Sequence, residues 1–198
     1  MENQRPNAQA TWTQVALAVK QMLEAMGHDL TTPGLIGTPV RVAKAWEEML
    51  CGYQQDPAKI LTTAFPAEGY DEMITLAGVP FTSVCEHHLL PFSGHATIAY
   101  IPTGDRVVGI SKLARLLDCF AKRLQIQERM TAQIASALML AIEPLGVGVH
   151  IQATHLCMVC RGVKKAQATM ITTKLCGEFL NNPATREEFF LQLKLNHT

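Results

Sequence analysis

The chain has 198 residues, 48% of them hydrophobic, with seventeen lysines and arginines set against seventeen aspartates and glutamates. A chain of this size buries a sufficient core without disulfide staples. Zero formal net charge provides no broad field to gather nucleic acid or an anionic membrane surface, so neither partner is expected and any anion site must be local.

The opening Met1–Asn7 is polar and lacks the apolar run of a secretion signal. No stretch approaches the roughly 18 to 20 apolar residues of a membrane span. A cytoplasmic location is expected, where Cys51, Cys85, Cys119, Cys157, Cys160 and Cys176 stay reduced.

Trp12, Val15, Ala16, Val19, Met22, Leu23 and Met26 recur at intervals of three and four, which predicts a helix ending near Gly27. After the turn-rich Thr31-Thr32-Pro33-Gly34, Thr38 reads as the cap of a second helix, with Pro39 at its first position and Val42, Ala45, Trp46 and Met49 as its apolar stripe.

From residue 73 the texture changes. Met73–Val79 and Gly94–Ile101 read as strands, and Thr103-Gly104-Asp105 turns the second into Arg106–Ile110. Ser111 is expected to cap a helix carrying Leu113, Leu116, Leu117 and Phe120. Another helix runs from about Glu128 through Ile134 and Leu138 to Ala141.

A strand over Val147–Cys157 places Val149, Ile151, Ala153, His155 and Cys157 on one face. A last strand near Ala168–Thr173 leads to Thr185-Arg186-Glu187-Glu188, a capping-box pattern opening a terminal helix with Phe189, Phe190 and Leu193. The order strands, helices, strands implies an α+β domain with helices on one face of an antiparallel sheet. Its open edges invite closure by oligomerisation.

The chemistry concentrates in Ser83-Val84-Cys85-Glu86-His87-His88 and His155-Leu156-Cys157. Cysteine and histidine grouped in this way point to zinc. Cys85 and His88, three apart, reach one ion from a turn, and Cys157 adds a third donor from its strand. Three donors leave a position for water, as in a catalytic zinc site. Cys157-Met158-Val159-Cys160 is also a C-x-x-C, so Cys85, His88, Cys157 and Cys160 are alternatively a closed structural cage. Against the cage, Cys157 and Cys160 have opposite parity on a continuing strand, and Met158-Val159 is no glycine-rich turn.

His87 and His155 adjoin donors without being needed for three-donor coordination. An imidazole with a pKa of about 6.5 carries protons readily, or else orients a ligand by hydrogen bonding. Glu86 is open to the same second role or to being a solvated acid. Cys51, Cys119 and Cys176 fall among apolar neighbours and read as core, while His28, His95, His150 and His197 lack donor neighbours and receive no role.

Ser83–Phe92, Gly109–Arg115, Gln125–Arg129 and His155–Val163 together resemble the GTP cyclohydrolase I family. The resemblance extends from Thr38-Pro39-Val40-Arg41-Val42 to Thr185-Arg186-Glu187-Glu188-Phe189. It implies the tunnelling fold, a four-stranded antiparallel sheet with two helices on one face, closed into a barrel by oligomerisation. Residues 1–70 would form an N-terminal helical segment and 71–198 the catalytic domain, in a homodecamer of two pentamers with sites at subunit interfaces. The implied reaction converts GTP and water to formate and 7,8-dihydroneopterin triphosphate, the first step toward folate or other pterins.

Carried over motif by motif, the resemblance places zinc on Cys85, His88 and Cys157 and the catalytic histidines at His87 and His155. Ser111, Lys112, Arg115 and Arg161 match residues around the triphosphate and ring, and Gln127 and Glu128 match those facing guanine. A carboxylate at Glu128 can accept from guanine N1–H and the 2-amino group, which adenine cannot match. No G-x-x-x-x-G-K-[ST] loop is present, so phosphate-binding charge must converge from separate segments. Ala168 and Met170 stand where small hydroxyl residues are expected, which bears on substrate affinity and choice. Two other readings stay open: a nitrile-reductase relative of the same fold using a cysteine nucleophile and NADPH, and a noncatalytic zinc-binding interaction module.

Overall fold

The computed structural model describes residues 12–104 and 106–195, so Met1–Asn7, Asp105 and His197 lie outside the described residues. Helix α1 (Trp12–Ala25) packs against α2 (Thr38–Met49). The cap of α2 is Gly37 rather than Thr38. Thr38 sits in the first turn, where its hydroxyl donates to Gly34 O at 3.3 Å. A 3-10 turn (Cys51–Gln54), the short α3 (Pro57–Ile60) and strand β1 (Ala64–Pro66) follow.

Strand β2 (Ile74–Cys85) runs past the expected end at Val79. Pro80 pairs with His95 of β3 (Pro91–Ile101), and no other strand borders β2 there, an edge position of the kind in which a sheet tolerates proline. Between Leu76 and Val79 the partner on β3 moves only from Ile98 to Ala96, which inserts one extra residue into β2. Gly78 takes φ +67 in this bulge and gives its N–H to Thr97 Oγ1 at 3.3 Å.

Strand β4 (Arg106–Val108) does not return along β3 as the sequence suggested; it pairs with β1. Both edges of β3 are already taken, one by β2 and the other by β6 (Gly146–His155). A two-residue parallel strand, β5 (Leu124–Gln125), and β7 (Met170–Gly177) complete a sheet of order β5-β2-β3-β6-β7, antiparallel throughout except at β5.

Helices α4 (Ile110–Ala121) and α5 (Gln127–Ile142) cover one face. Gly109 holds the cap position of α4, and Ser111 lies exposed in its first turn rather than capping it. Leu113, Leu116, Leu117, Ile134 and Leu138 meet Phe92, Ile98, Tyr100, Val149 and Ile151 from the sheet, all essentially excluded from water. Each such side chain contributes about 1.5–3 kcal/mol of burial.

After the single turn of α6 (Leu156–Val159), strand β7 leads into α7 (Glu178–Asn181) and α8 (Pro183–Leu195). Phe179, Phe189 and Leu193 cluster with Met73 and Ala99 on the other side of the sheet. Helix α8 starts at Pro183, with Asn182 Oδ1 accepting from Ala184 N–H at 3.0 Å, so Thr185 lies inside the helix it was expected to cap. Among the described residues, no helix is long and apolar enough to cross a membrane.

Candidate metal centre and active site

Cys85 is the last residue of β2, and the turn to β3 begins directly after it. The turn is closed by Leu89 N–H to Cys85 O (2.8 Å) and Cys85 N–H to Leu90 O (2.9 Å). Leu89 adopts φ +55, a left-handed conformation that a leucine holds only where surrounding bonds demand it. His88 is thereby brought back over Cys85, with Nδ1 3.9 Å from the thiol sulfur.

Cys157 reaches the same place by a route the sequence did not suggest. The strand stops at His155, whose extended backbone caps α6, and Cys157 projects from that helical turn rather than from β6. The donor atoms of Cys85, His88 and Cys157 all lie within 4.8 Å of one another. Zinc–ligand bonds of roughly 2.0–2.3 Å in a tetrahedron set donors about 3.5–3.8 Å apart, so this trio suits such an ion. Burial first, and then the adjacent Cys85 thiol, push the Cys157 thiol up. A divalent cation relieves that crowding of two thiols.

Cys160 stands outside the trio. It is exposed, and its thiol donates to Leu156 O at 2.9 Å across the turn of α6. Arg161 lies beside the trio, with Nη1 3.0 Å from His88 Nε2.

His155 remains on β6, half-buried, with its ring stacked on Phe92. Burial holds its pKa below the usual imidazole value, while the nearby Glu128 carboxylate opposes that shift. His155 Nε2 faces Gln127 Oε1 at 2.9 Å. Gln127 is only 1% exposed and is committed to partners inside the protein. Its neighbour Glu128, in the first turn of α5, is exposed.

His87 is exposed, with Nε2 3.9 Å from Glu86 Oε1. Glu86 accepts a hydrogen bond from Arg129, which holds its carboxyl below the ordinary carboxylate range against the opposing effect of burial. Arg129 also donates to Leu124 O (2.9 Å) and Gln125 Oε1 (3.1 Å), and Glu86 N–H donates to Gln125 O (3.0 Å). The donor turn is thus bound to the start of α5. Arg129 and Phe92 belong to this site, and sequence reasoning gave neither a role. Their motifs marked them only as part of a resemblance.

Lys112 and Arg115 line a separate cavity of about 430 Å³ with Asp56, Lys59, Asp118 and Lys122. None of the trio lines it.

The sequence pattern of one family, GTP cyclohydrolase I, matches residues 15–194. The GTP cyclohydrolase 1 of Wolinella succinogenes is 50% identical over 171 residues, 86% of this chain and 91% of that protein. That of Campylobacter lari is 50% identical over 173 residues, 87% and 90% of the two chains, and that of Pelotomaculum thermopropionicum 48% over 177 residues, 89% and 94%. On these likenesses the chain belongs to the GTP cyclohydrolase I family, as an enzyme with the tunnelling fold, and the nitrile-reductase and noncatalytic readings give way.

Proposed function

We propose that this enzyme opens the imidazole ring of GTP with water, releases formate and recloses the rearranged product as 7,8-dihydroneopterin triphosphate, with zinc held by Cys85, His88 and Cys157. The observation that carries this reading is the three-donor cluster beside His155, with Cys160 bonded elsewhere. Zinc, when bound, supplies the Lewis acidity that makes water a nucleophile at neutral pH.

The protein's own groups do the rest. His155, kept neutral by burial, is suited to accept a proton as the ring opens at C8, and the exposed His87 serves the second transfer. Glu128 presents a carboxylate to the guanine N1–H and 2-amino edge. Ser111, Lys112, Arg115 and Arg161 are assigned to the triphosphate and ring. The homodecamer of two pentamers, with sites at subunit interfaces, is the assembly implied by the family resemblance.

Zinc-loaded protein incubated with GTP is expected to release formate together with a fluorescent oxidised pterin, and ATP should yield neither. His155→Ala should retain zinc and lose turnover. Failure to produce formate from GTP overturns the reading.

A further inference from the structure

The two ring nitrogens of His155 are not equivalent. Nε2 lies 2.9 Å from Gln127 Oε1, and which nitrogen carries the proton follows from what Gln127 does with the rest of its amide. The amide nitrogen sits 3.1 Å from each of Ile151 O, Met170 O and Thr172 Oγ1. Backbone carbonyls only accept, so the NH₂ end must face them. A flipped amide would set Oε1 against two carbonyl oxygens.

The threonines complete the assignment. Thr131 Oγ1 lies 2.7 Å from Gln127 O, an obligate acceptor, so its single hydrogen is committed there. Thr131 must then accept from Thr172 Oγ1, 2.7 Å away, so Thr172 spends its hydrogen there and meets the Gln127 amide only as an acceptor, sharing the two amide hydrogens with the carbonyls. The NH₂ end is thus held in this group and Gln127 Oε1 is the end that faces His155. Gln127 is 1% exposed, so bulk solvent does not compete for it.

We infer that Gln127 is a positioning residue that fixes His155 in the Nε2–H tautomer and leaves Nδ1 as its basic nitrogen. The Phe92 ring, stacked at 4.4 Å between centroids and 3° between planes, keeps the imidazole in its plane while Gln127 fixes its rotation. The inference rests on the reading that His155 moves protons. It adds that the Nδ1 lone pair is oriented before substrate arrives, an arrangement that avoids reorganisation during the reaction.

The test is solid-state ¹⁵N spectroscopy of ring-labelled histidine in the full-length, zinc-loaded protein at neutral pH, with His155 assigned by the signals lost in His155→Ala. Wild type should show a protonated Nε2 and an unprotonated Nδ1. Gln127→Leu, of similar volume but without an acceptor, should show both tautomers with zinc content unchanged. Its kcat should fall roughly 10- to 100-fold, as is usual when a partner orienting a working imidazole is lost.

Thr172→Val removes one acceptor but keeps both carbonyls, so His155 should keep its tautomer, which provides a second reading if Gln127→Leu fails to fold. A protonated Nδ1 in neutral His155 of wild type or Thr172→Val overturns the inference, as does an unchanged single tautomer in Gln127→Leu. Full turnover by His155→Ala would instead remove the proposed role of His155 and leave the tautomer assignment standing.

Discussion

Phe92 and His155 are cross-strand partners on β3 and β6, and their rings lie parallel at 4.4 Å. A wholly buried core side chain is thus also the backing plate of an imidazole in the site. Phe92→Leu keeps most of the volume and removes the flat face. It is expected to cost about 1–2 kcal/mol in urea unfolding, less than the 3–5 kcal/mol of an alanine truncation. In steady-state assays kcat should fall about tenfold or more while KM changes little. Wild-type kcat in a folded Phe92→Leu would show that the stack does not orient His155.

Metal content separates the roles of the two cysteines in the C-x-x-C. Cys157→Ser and Cys85→Ser should each lower zinc affinity at least tenfold, measured by competition with a chromophoric chelator. Cys160→Ser should bind zinc and turn over GTP as wild type does, because that thiol bonds to Leu156 O and lies outside the trio. Loss of zinc from Cys160→Ser would restore the closed four-ligand cage.

The ion pair between Glu86 and Arg129 ties the donor turn to α5 with both side chains about a quarter exposed. A double-mutant cycle built from Glu86→Gln, Arg129→Met and the double variant should give a coupling of about 1 kcal/mol, above an ordinary surface pair because the contact is a charge-assisted hydrogen bond. Additive effects would mean that the turn is held by Glu86 N–H and Gln125 O alone.

Tyr100 supplies a pH-dependent stability term remote from the metal donors. Burial pushes its phenol above the ordinary value of 10.0, and the hydrogen bond from Val108 N–H (2.9 Å) opposes this. A raised acid favours the folded state fully below the unfolded pKa, and that contribution is lost as pH rises from about 10 toward the folded value. Tyr100→Phe should cost about 1–3 kcal/mol at pH 8 by orphaning Val108 N–H. It should also lose less stability than wild type between pH 9 and pH 11, an interval of roughly one unit either side of the free phenol's pKa. Parallel urea midpoints for the two proteins would contradict the assignment.

Much of this architecture was readable where local spacing decides it. The stripe Leu113, Leu116, Leu117 and Phe120 marked α4, and alternation through Val149, Ile151, Ala153 and His155 marked the inward face of β6. Cys85 and His88, three apart, needed only a turn to meet. What escaped was decided by distant partners. The pairing of β4 with β1 depends on which edges of β3 are vacant, a property of the assembled sheet. Cys157 leaves the strand because the backbone turns helical at Leu156, although its alternation with His155 reads as continuous strand. The burial of Gln127 depends on carbonyls from β6 and β7, which no local pattern in α5 reveals.

The extra residue beside Gly78 has a consequence for chemistry at the far end of β2. Side chains along a regular strand alternate strictly, so carrying that residue as ordinary strand instead of as a bulge, while the start of the strand keeps its partners, would turn Phe81, Ser83 and Cys85 out of the helix-covered side. The sulfur would then point away from the other two donors. A parity inversion placed well upstream thus decides on which side of the sheet this enzyme can work.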